Sequence, residues 1–428
     1  IISMTRHLWV LIHRYVGLAM TVFLIIVGLT GSLLVFFDEF NTTLTPHLYP
    51  PKRAGATMDA GALAERAEIL VPEARVKSVF LGQPGTARIV MEPRISSKTS
   101  KPFDLNFNQL FLDPISGDEL GRRQTTGVPT GLDNLIPFIY RLHYNLALDK
   151  FGMWVLGITA LLWTMDCFVG FYLTLPATRR LHGVKANMAQ TMRNAEKPSI
   201  KRNFWSRWKP AWLVKLQASA YRINFDLHRA GGLWLWIALL IFAWSSVYMN
   251  LFEQVYAPVT RLVLDYPQLP WEHPSLKKPL EEPALGWRQA QKIAERLMTE
   301  QGDVKGFTVE RPVALRIDRE HGDYHYAVRS NLDFQDKRGR TLVIFDANTG
   351  QLKQLLLPSG QHNGNTVTNW LATLHEANVF AMPYRIFVCI LGLAMVMFSV
   401  TGVIIWLKKR RSEKFMVRQR NKFIKSQG

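Results

Sequence analysis

Two short stretches set a metal-binding nitrogen at the mouth of a long apolar run. "IHRYVGLAM", from Ile12, carries His13 and Arg14; "LHRAGGLWLW", from Leu227, carries His228 and Arg229. Both read His-Arg-x-x-Gly, so Gly17 and Gly232 fall four residues after a histidine, on the same helical face. Two further histidines, His143 and His375, each follow a leucine near the start of another apolar run. Neutral imidazole is a common metal ligand. Two imidazoles on facing helices at one depth would fill both axial positions of a porphyrin iron. A missing side chain at Gly17 and Gly232 leaves room for a flat macrocycle, and Arg14 and Arg229 suit its propionates as guanidinium forks. Arg141 would serve similarly at the other pair, whereas His375 has no basic neighbour in sequence. With no Cys-x-x-Cys-His the haem would be of b type. The residues therefore predict two haem b: one held by His13 and His228, the other by His143 and His375, the metal being haem iron. With both axial positions filled the chemistry is electron transfer, and no residue is assigned a catalytic role.

The pairing follows from the elements that carry the histidines. Four apolar runs stand out: Tyr15–Phe37, Phe151–Leu175, Ala230–Phe252 and Ile386–Leu407. Each has more than 20 residues, enough for a helix to cross a bilayer core of about 30 Å. Three carry no Asp, Glu, Lys or Arg, and the second carries only Asp166. The first run is too long for a cleaved leader and no small-x-small site follows it, which predicts a retained helix. Basic residues are concentrated: twelve Lys/Arg against two acids in 176–229, and nine against one from Lys408 onward. Together with Arg6 and Arg14 these segments account for the whole net charge of +19. By the positive-inside rule this side is cytoplasmic, with both termini. The same asymmetry accounts for the charge without nucleic acid, which is not an expected partner. Successive helices run in opposite directions, so His13 and His228 share the inner face and His143 and His375 the outer one. Cys167 and Cys389 lie inside apolar runs and suggest neither a disulfide nor a metal pair.

The expected order is a first spanning helix over 1–37, an outer domain over 38–145, and a second helix over 146–175. A basic linker follows over 176–227, then a helix over 228–252, an outer domain over 253–375, a helix over 376–407 and a basic tail over 408–428. This is one unit used twice. "DPISG" from Asp113 matches "DANTG" from Asp346; His143 and His375 follow these aspartates by 30 and 29 residues. Gly170 and Gly402 each come 27 residues after those histidines. Ordered coincidences of this kind mark duplication. The outer domains read as small α+β modules, with helical periodicity over Ala60–Val71 and Gly286–Glu300 and strand–turn–strand around each Asp-x-x-Ser/Thr-Gly. In those turns the aspartate is expected to cap and the glycine to take a positive φ. The linker stretch "NFWSRWKPAWLVKLQASAYRINF" alternates Trp, Leu and Phe with Lys and Arg, as an amphipathic segment on the inner membrane surface does.

The openings, the two turn motifs and the "LH" pairs resemble the PepSY-associated transmembrane family over nearly the full chain. The resemblance implies a membrane α-helical fold: four transmembrane helices from a duplicated helix–outer domain–helix unit, with two small α+β PepSY-like periplasmic domains. It implies the bacterial inner membrane as the location. Members include haem-containing inner-membrane reductases of ferric siderophores of the ferrioxamine type, so it also implies an oxidoreductase whose acceptor is a ferric siderophore. One electron converts a hard Fe(III), held by chelate oxygens, to Fe(II), which those ligands hold less well. The chain has no glycine fingerprint for a nicotinamide or flavin cofactor. A cytoplasmic flavin reductase, reduced flavin or quinol is then the expected donor, and copper, quinones or another periplasmic acceptor stay open beside the siderophore. The alternative is a membrane-anchored regulator or inhibitor of a periplasmic peptidase, without redox activity. A transporter ranks last, because no broken helix pair is legible. Asp166 reads equally as a hydrogen-bonding group near a haem or as a structural bond to a neighbouring helix. "HGDYH" (His321, His325) reads as strand edge before metal site, and Trp154, Trp234, Trp236, Trp244 and Trp406 read mainly as interfacial belt and packing.

Overall fold

A computed structural model describes residues 2–83, 85–177, 203–268, 272 and 274–426. The chain divides into two compact units, residues 1–29, 157–246 and 390–428, and residues 30–156 and 247–389. Among the described residues, three helices are long and apolar enough to cross a membrane, and a fourth span is counted if a bent pair is one crossing. The rest is a mixed α/β body, so the chain is a membrane protein with an α/β part.

Three long helices are continuous: α1 (Ile2–Leu34), α5 (Asp149–Thr174) and α12 (Ala381–Ser426). In the first unit α1 and α12 approach closely, because a Cβ at Gly28 would lie 2.8 Å from the carbonyl of Gly392. Small residues allow such contact where no hydrophobic driving force exists between helices. The apolar run over 228–252 was expected as one helix and is two: α7 (Ala220–Trp234) and α8 (Trp236–Asn250) meet at Leu235 with a bend of 70°. Gly231 and Gly232, just before the break, supply the backbone freedom that sharp kinks need. The matching stretch of α1 has Val16 before Gly17 and runs straight through. A broken helix therefore exists, but in one half only. Beyond residue 407 the basic tail continues α12 rather than forming a separate segment.

The linker is described from residue 203. Helix α6 (Phe204–Trp208) and a 3₁₀ turn over Lys209–Trp212 lay Trp208 against Phe171, Leu175 and Leu233. Trp208 donates its Nε1–H to Thr174, and Trp234 donates to the carbonyl of Trp212. Phe204, Trp205, Leu213 and Leu216 stay exposed, an apolar face interleaved with basic residues. The linker before residue 203 lies outside the described residues.

In the second unit, both outer segments contribute to a single antiparallel sheet. The strands are β1 (Ala74–Gln83), β2 (Thr86–Pro93), β3 (Gln109–Leu112), β4 (Glu119–Arg123), β5 (Val309–Asp318), β6 (Asp323–Ser330), β7 (Thr341–Asp346) and β8 (Leu352–Leu356). Their order is β4-β3-β2-β1-β5-β6-β7-β8. The halves mirror each other across β1 and β5, which pair through Ser78–Arg316, Val79–Leu315 and Phe80–Ala314. Two separate modules were expected; each half alone would leave an edge strand with unpaired backbone groups, and joining removes it. Helices α3 (Ala60–Leu70) and α10 (Trp287–Lys305) cross where a Cβ at Gly61 would meet the carbonyl of Trp287 at 2.7 Å. Their buried Leu63, Ala67, Ala294 and Leu297 close one core with Val79, Ile89, Leu315 and Phe345 of the sheet.

The two Asp-x-x-Ser/Thr-Gly turns have one design. Asp113 Oδ1 accepts from the backbone of Ile115 and Ser116, and Asp346 Oδ1 from Asn348 and Thr349. Gly117 and Gly350 follow at φ 72° and 74°. His325 sits inside the sheet on β6 rather than at an edge, against the Arg316 guanidinium at 2.9 Å; burial first, and that charge second, push its imidazole down to about 3. His321 bonds Asp318 in the adjoining turn. Among the described residues no cluster of three His, Cys, Asp or Glu side chains could hold a metal ion.

Helix α2 (Phe37–Leu44) is fastened to the start of α12 by Arg385, which donates to both carboxylate oxygens of Glu39 at 2.7 Å and to the carbonyl of Val35. The Arg385 hydrogen bond, aided by Lys337, holds the Glu39 carboxyl down to about 2. Its ordinary value is about 4.3, so the contribution is present above that and lost as pH falls toward 2. The unfolding temperature is expected to fall across this window. Glu39→Gln should flatten that part of the profile at a neutral-pH cost of about 1 kcal/mol or less, because the carboxylate is half exposed.

Candidate functional site

The four histidines come from four helices and meet in two pairs. His13 lies on α1 and His228 on α7; their ring centres are 6.1 Å apart, with planes inclined at 64°. His143 lies in the last turn of α4 (Leu135–Asn145) and His375 is the last residue of α11 (Asn363–His375); their centres are 6.2 Å apart at 60°. The outer histidines were expected to open the spanning helices. Instead they close short helices that precede them, and an elbow intervenes. In both elbows the backbone turns through non-glycine residues at positive φ: Leu146, Ala147 and Asp149 in one, Ala377, Phe380 and Ala381 in the other. Six residues after each histidine, Asp149 and Ala381 begin α5 and α12. Asp149 and Ala381 occupy matched positions, and non-glycine residues at positive φ carry a backbone cost in both elbows.

Three of the rings have Nδ1 within hydrogen-bond distance of a partner on a neighbouring helix. His13 Nδ1 pairs with Asp166 Oδ1 on α5 at 2.9 Å. His228 Nδ1 lies 3.1 Å from the carbonyl of Phe398 and 3.0 Å from the hydroxyl of Thr401, both on α12. His143 Nδ1 lies 3.0 Å from the hydroxyl of Thr30 on α1. A partner on Nδ1 fixes the tautomer and leaves Nε2 as the ligating nitrogen, as around metal-bound histidines. Burial pushes the His375 imidazole down to about 4, so its ring is neutral at ordinary pH, as a ligand must be.

Glycines set the rings against the neighbouring helices. A Cβ at Gly170 would lie 3.5 Å from Cε1 of His13, at Gly402 3.4 Å from Cε1 of His228, and at Gly31 2.9 Å from Cε1 of His143. Gly170 and Gly402, visible in the sequence only as a repeated interval, thus do the same work in the two halves. A Cβ at Gly17 or Gly232 would meet nothing within 4 Å. Those two positions border space rather than packing.

The expected propionate partners divide. Arg14 makes no ion pair or hydrogen bond among the described residues. Arg229 is already engaged: it donates to Asp226 Oδ1 at 2.8 Å and to the carbonyls of Pro210 and Leu213. Arg141 donates to the carbonyl of Gly127 and to Asp149, which ties α4 to the elbow. The Arg229 bonds all run through one terminal nitrogen, and its buried Nε has no partner among the described residues. Asp166, Thr30, Gly31 and Thr401 were not assigned from sequence. Their only signal was polar or small residues inside apolar runs.

The donor set fits a metal between each pair. A metal–imidazole bond of about 2.0 Å, with about 1.1 Å from nitrogen to ring centre, would call for two ring centres about 6.2 Å apart if one metal ion lay between them. Both observed separations agree with this. Two rings per site, with cleared space beside one pair, fit the axial ligation of a macrocycle better than a bare ion, which would need further ligands that these sites do not offer. No curated protein matches the chain. The model of the PepSY-associated TM region family, however, matches residues 10–409, and the chain belongs to that family.

Proposed function

We propose that the protein is a transmembrane di-haem electron-transfer protein of the bacterial inner membrane. Electrons enter from a cytoplasmic flavin reductase, reduced flavin or quinol and leave to a periplasmic ferric siderophore. The observation that carries this reading is the pair of histidine couples at matching separations of 6.1 and 6.2 Å. A b-type haem held by each couple would supply one-electron chemistry. The chain does the rest. Asp166, Thr30, Thr401 and the Phe398 carbonyl hold Nδ1 and aim the ligating nitrogens. Gly17 and Gly232 give room, and Arg14 offers an unengaged guanidinium one residue from His13. The concentration of basic residues supports a cytoplasmic linker and tail, four spans with the bent pair as one crossing, and the sheet body in the periplasm. At the acceptor, Fe(III) takes one electron to become Fe(II), and the chelating ligand is released unchanged.

Absorption spectroscopy tests the proposal directly. The purified protein should be red, with haem bands that sharpen on reduction with dithionite, and addition of a ferric hydroxamate chelate should reoxidise them while an Fe(II) chelator captures the product. A colourless protein would favour the regulatory reading. Two glycine variants test placement. Gly17→Ala meets no protein atom, so unchanged thermal stability with reduced haem absorbance would put the macrocycle beside residue 17. Gly31→Val drives branched atoms into the His143 ring and should remove about half of the haem.

A further inference from the structure

The internal duplication supplies a control on how each histidine is held. Gly170 and Gly402 occupy equivalent positions, each facing the ring of one partner in the His13–His228 couple. Four residues before Gly170 stands Asp166; four before Gly402 stands Phe398. One half therefore offers a carboxylate to Nδ1 where the other offers a backbone carbonyl and a hydroxyl. At His143 the partner is again a neutral hydroxyl. Asp166 is the only acid in the four apolar runs, and its side chain is 10% exposed. Ionisable groups at such depth are costly and are kept with a partner and a use. Here the partner is His13, which resolves the two sequence readings in favour of a bond to a ligand histidine.

We infer that Asp166 is a positioning residue that lowers the reduction potential of the site between His13 and His228. The inference rests on the haem reading of the histidine couples. A carboxylate that accepts the Nδ1–H of a ligating imidazole makes that ligand more basic. A more basic ligand stabilises ferric iron over ferrous, and a nearby negative charge in a poorly screened setting acts in the same sense.

The test is a potentiometric titration of the full-length protein in detergent, followed through its haem bands, for wild type, Asp166→Asn and Asp166→Thr. Wild type should titrate in two one-electron waves. A His375→Leu background, which keeps only the inner couple, identifies the inner wave. Both Asp166 variants should raise the inner wave and leave the outer wave in place. A tenfold change in electron partition, about 59 mV for one electron, is the expected minimum. Unchanged waves with two haems bound would overturn the inference, as would a shift of the outer wave alone. Loss of the inner haem in both variants would also overturn it, reducing Asp166 to a purely structural support. A wild-type protein without haem bands would overturn the underlying reading together with the inference.

Discussion

Replacing any one of His13, His228, His143 or His375 by leucine is expected to halve the haem content of the purified protein, from two per chain to one. The expectation follows from pairing. Each couple offers two imidazoles with ring centres 6.1 or 6.2 Å apart, and among the described residues no group of three His, Cys, Asp or Glu side chains could hold a metal ion. Retention of a non-covalent haem depends on its axial bonds and on the shape of its cleft, so a site reduced to one ligand should empty during purification or turn five-coordinate and high-spin. Double variants separate the couples. His13→Leu with His228→Leu should lose no more than either alone, whereas His13→Leu with His143→Leu should lose both haems. This non-additivity within a couple and additivity between couples is the signature of two independent sites. A single variant that keeps both haems with unchanged low-spin spectra would break the pairing.

How much of this could be read from the sequence depends on distance along the chain. The four histidines were legible because each sits in a short local motif that occurs twice. The orientation argument needed only the order of apolar runs and the location of Lys and Arg. The partners that hold the histidines were not legible, since Asp166, Thr30 and Thr401 reach their rings from positions 153, 113 and 173 residues away. Gly170 and Gly402 announced themselves through an interval, yet only packing shows that they face the rings. The break at Leu235 was hidden because hydropathy registers that a run is apolar, not that Gly231 and Gly232 let it bend. The single sheet was hidden for a similar reason. Each half has complete local hairpins, and only the short β1–β5 register joins them. The elbows after His143 and His375 carry alanine, leucine and phenylalanine at positive φ, residue types that give no warning of a turn.

Asp226→Ala is expected to be the most destabilising single change in the first unit. Asp226 is completely buried. It accepts from Arg222 at 2.9 Å, from Arg229 at 2.8 Å and from the backbone of Lys215 at 3.3 Å, and so fastens the linker over 209–215 to α7 two residues from His228. Removing one member of a buried ion pair strands the other charge, at about 3–5 kcal/mol. The lower half of that range applies here, because Arg222 is about two-fifths exposed and rehydrates. Asp226→Asn keeps an acceptor without the charge and should cost less. If Arg229 served chiefly a haem propionate, as its place after His228 suggested, Arg229→Met would empty the inner site while leaving the stability of the fold nearly unchanged. With Asp226 as its main partner, Arg229→Met should instead lower the thermal midpoint nearly as far as Asp226→Ala, and the two changes combined should cost little more than either alone. That coupling, measured as a double-mutant cycle in detergent, decides which carboxylate Arg229 is there to hold.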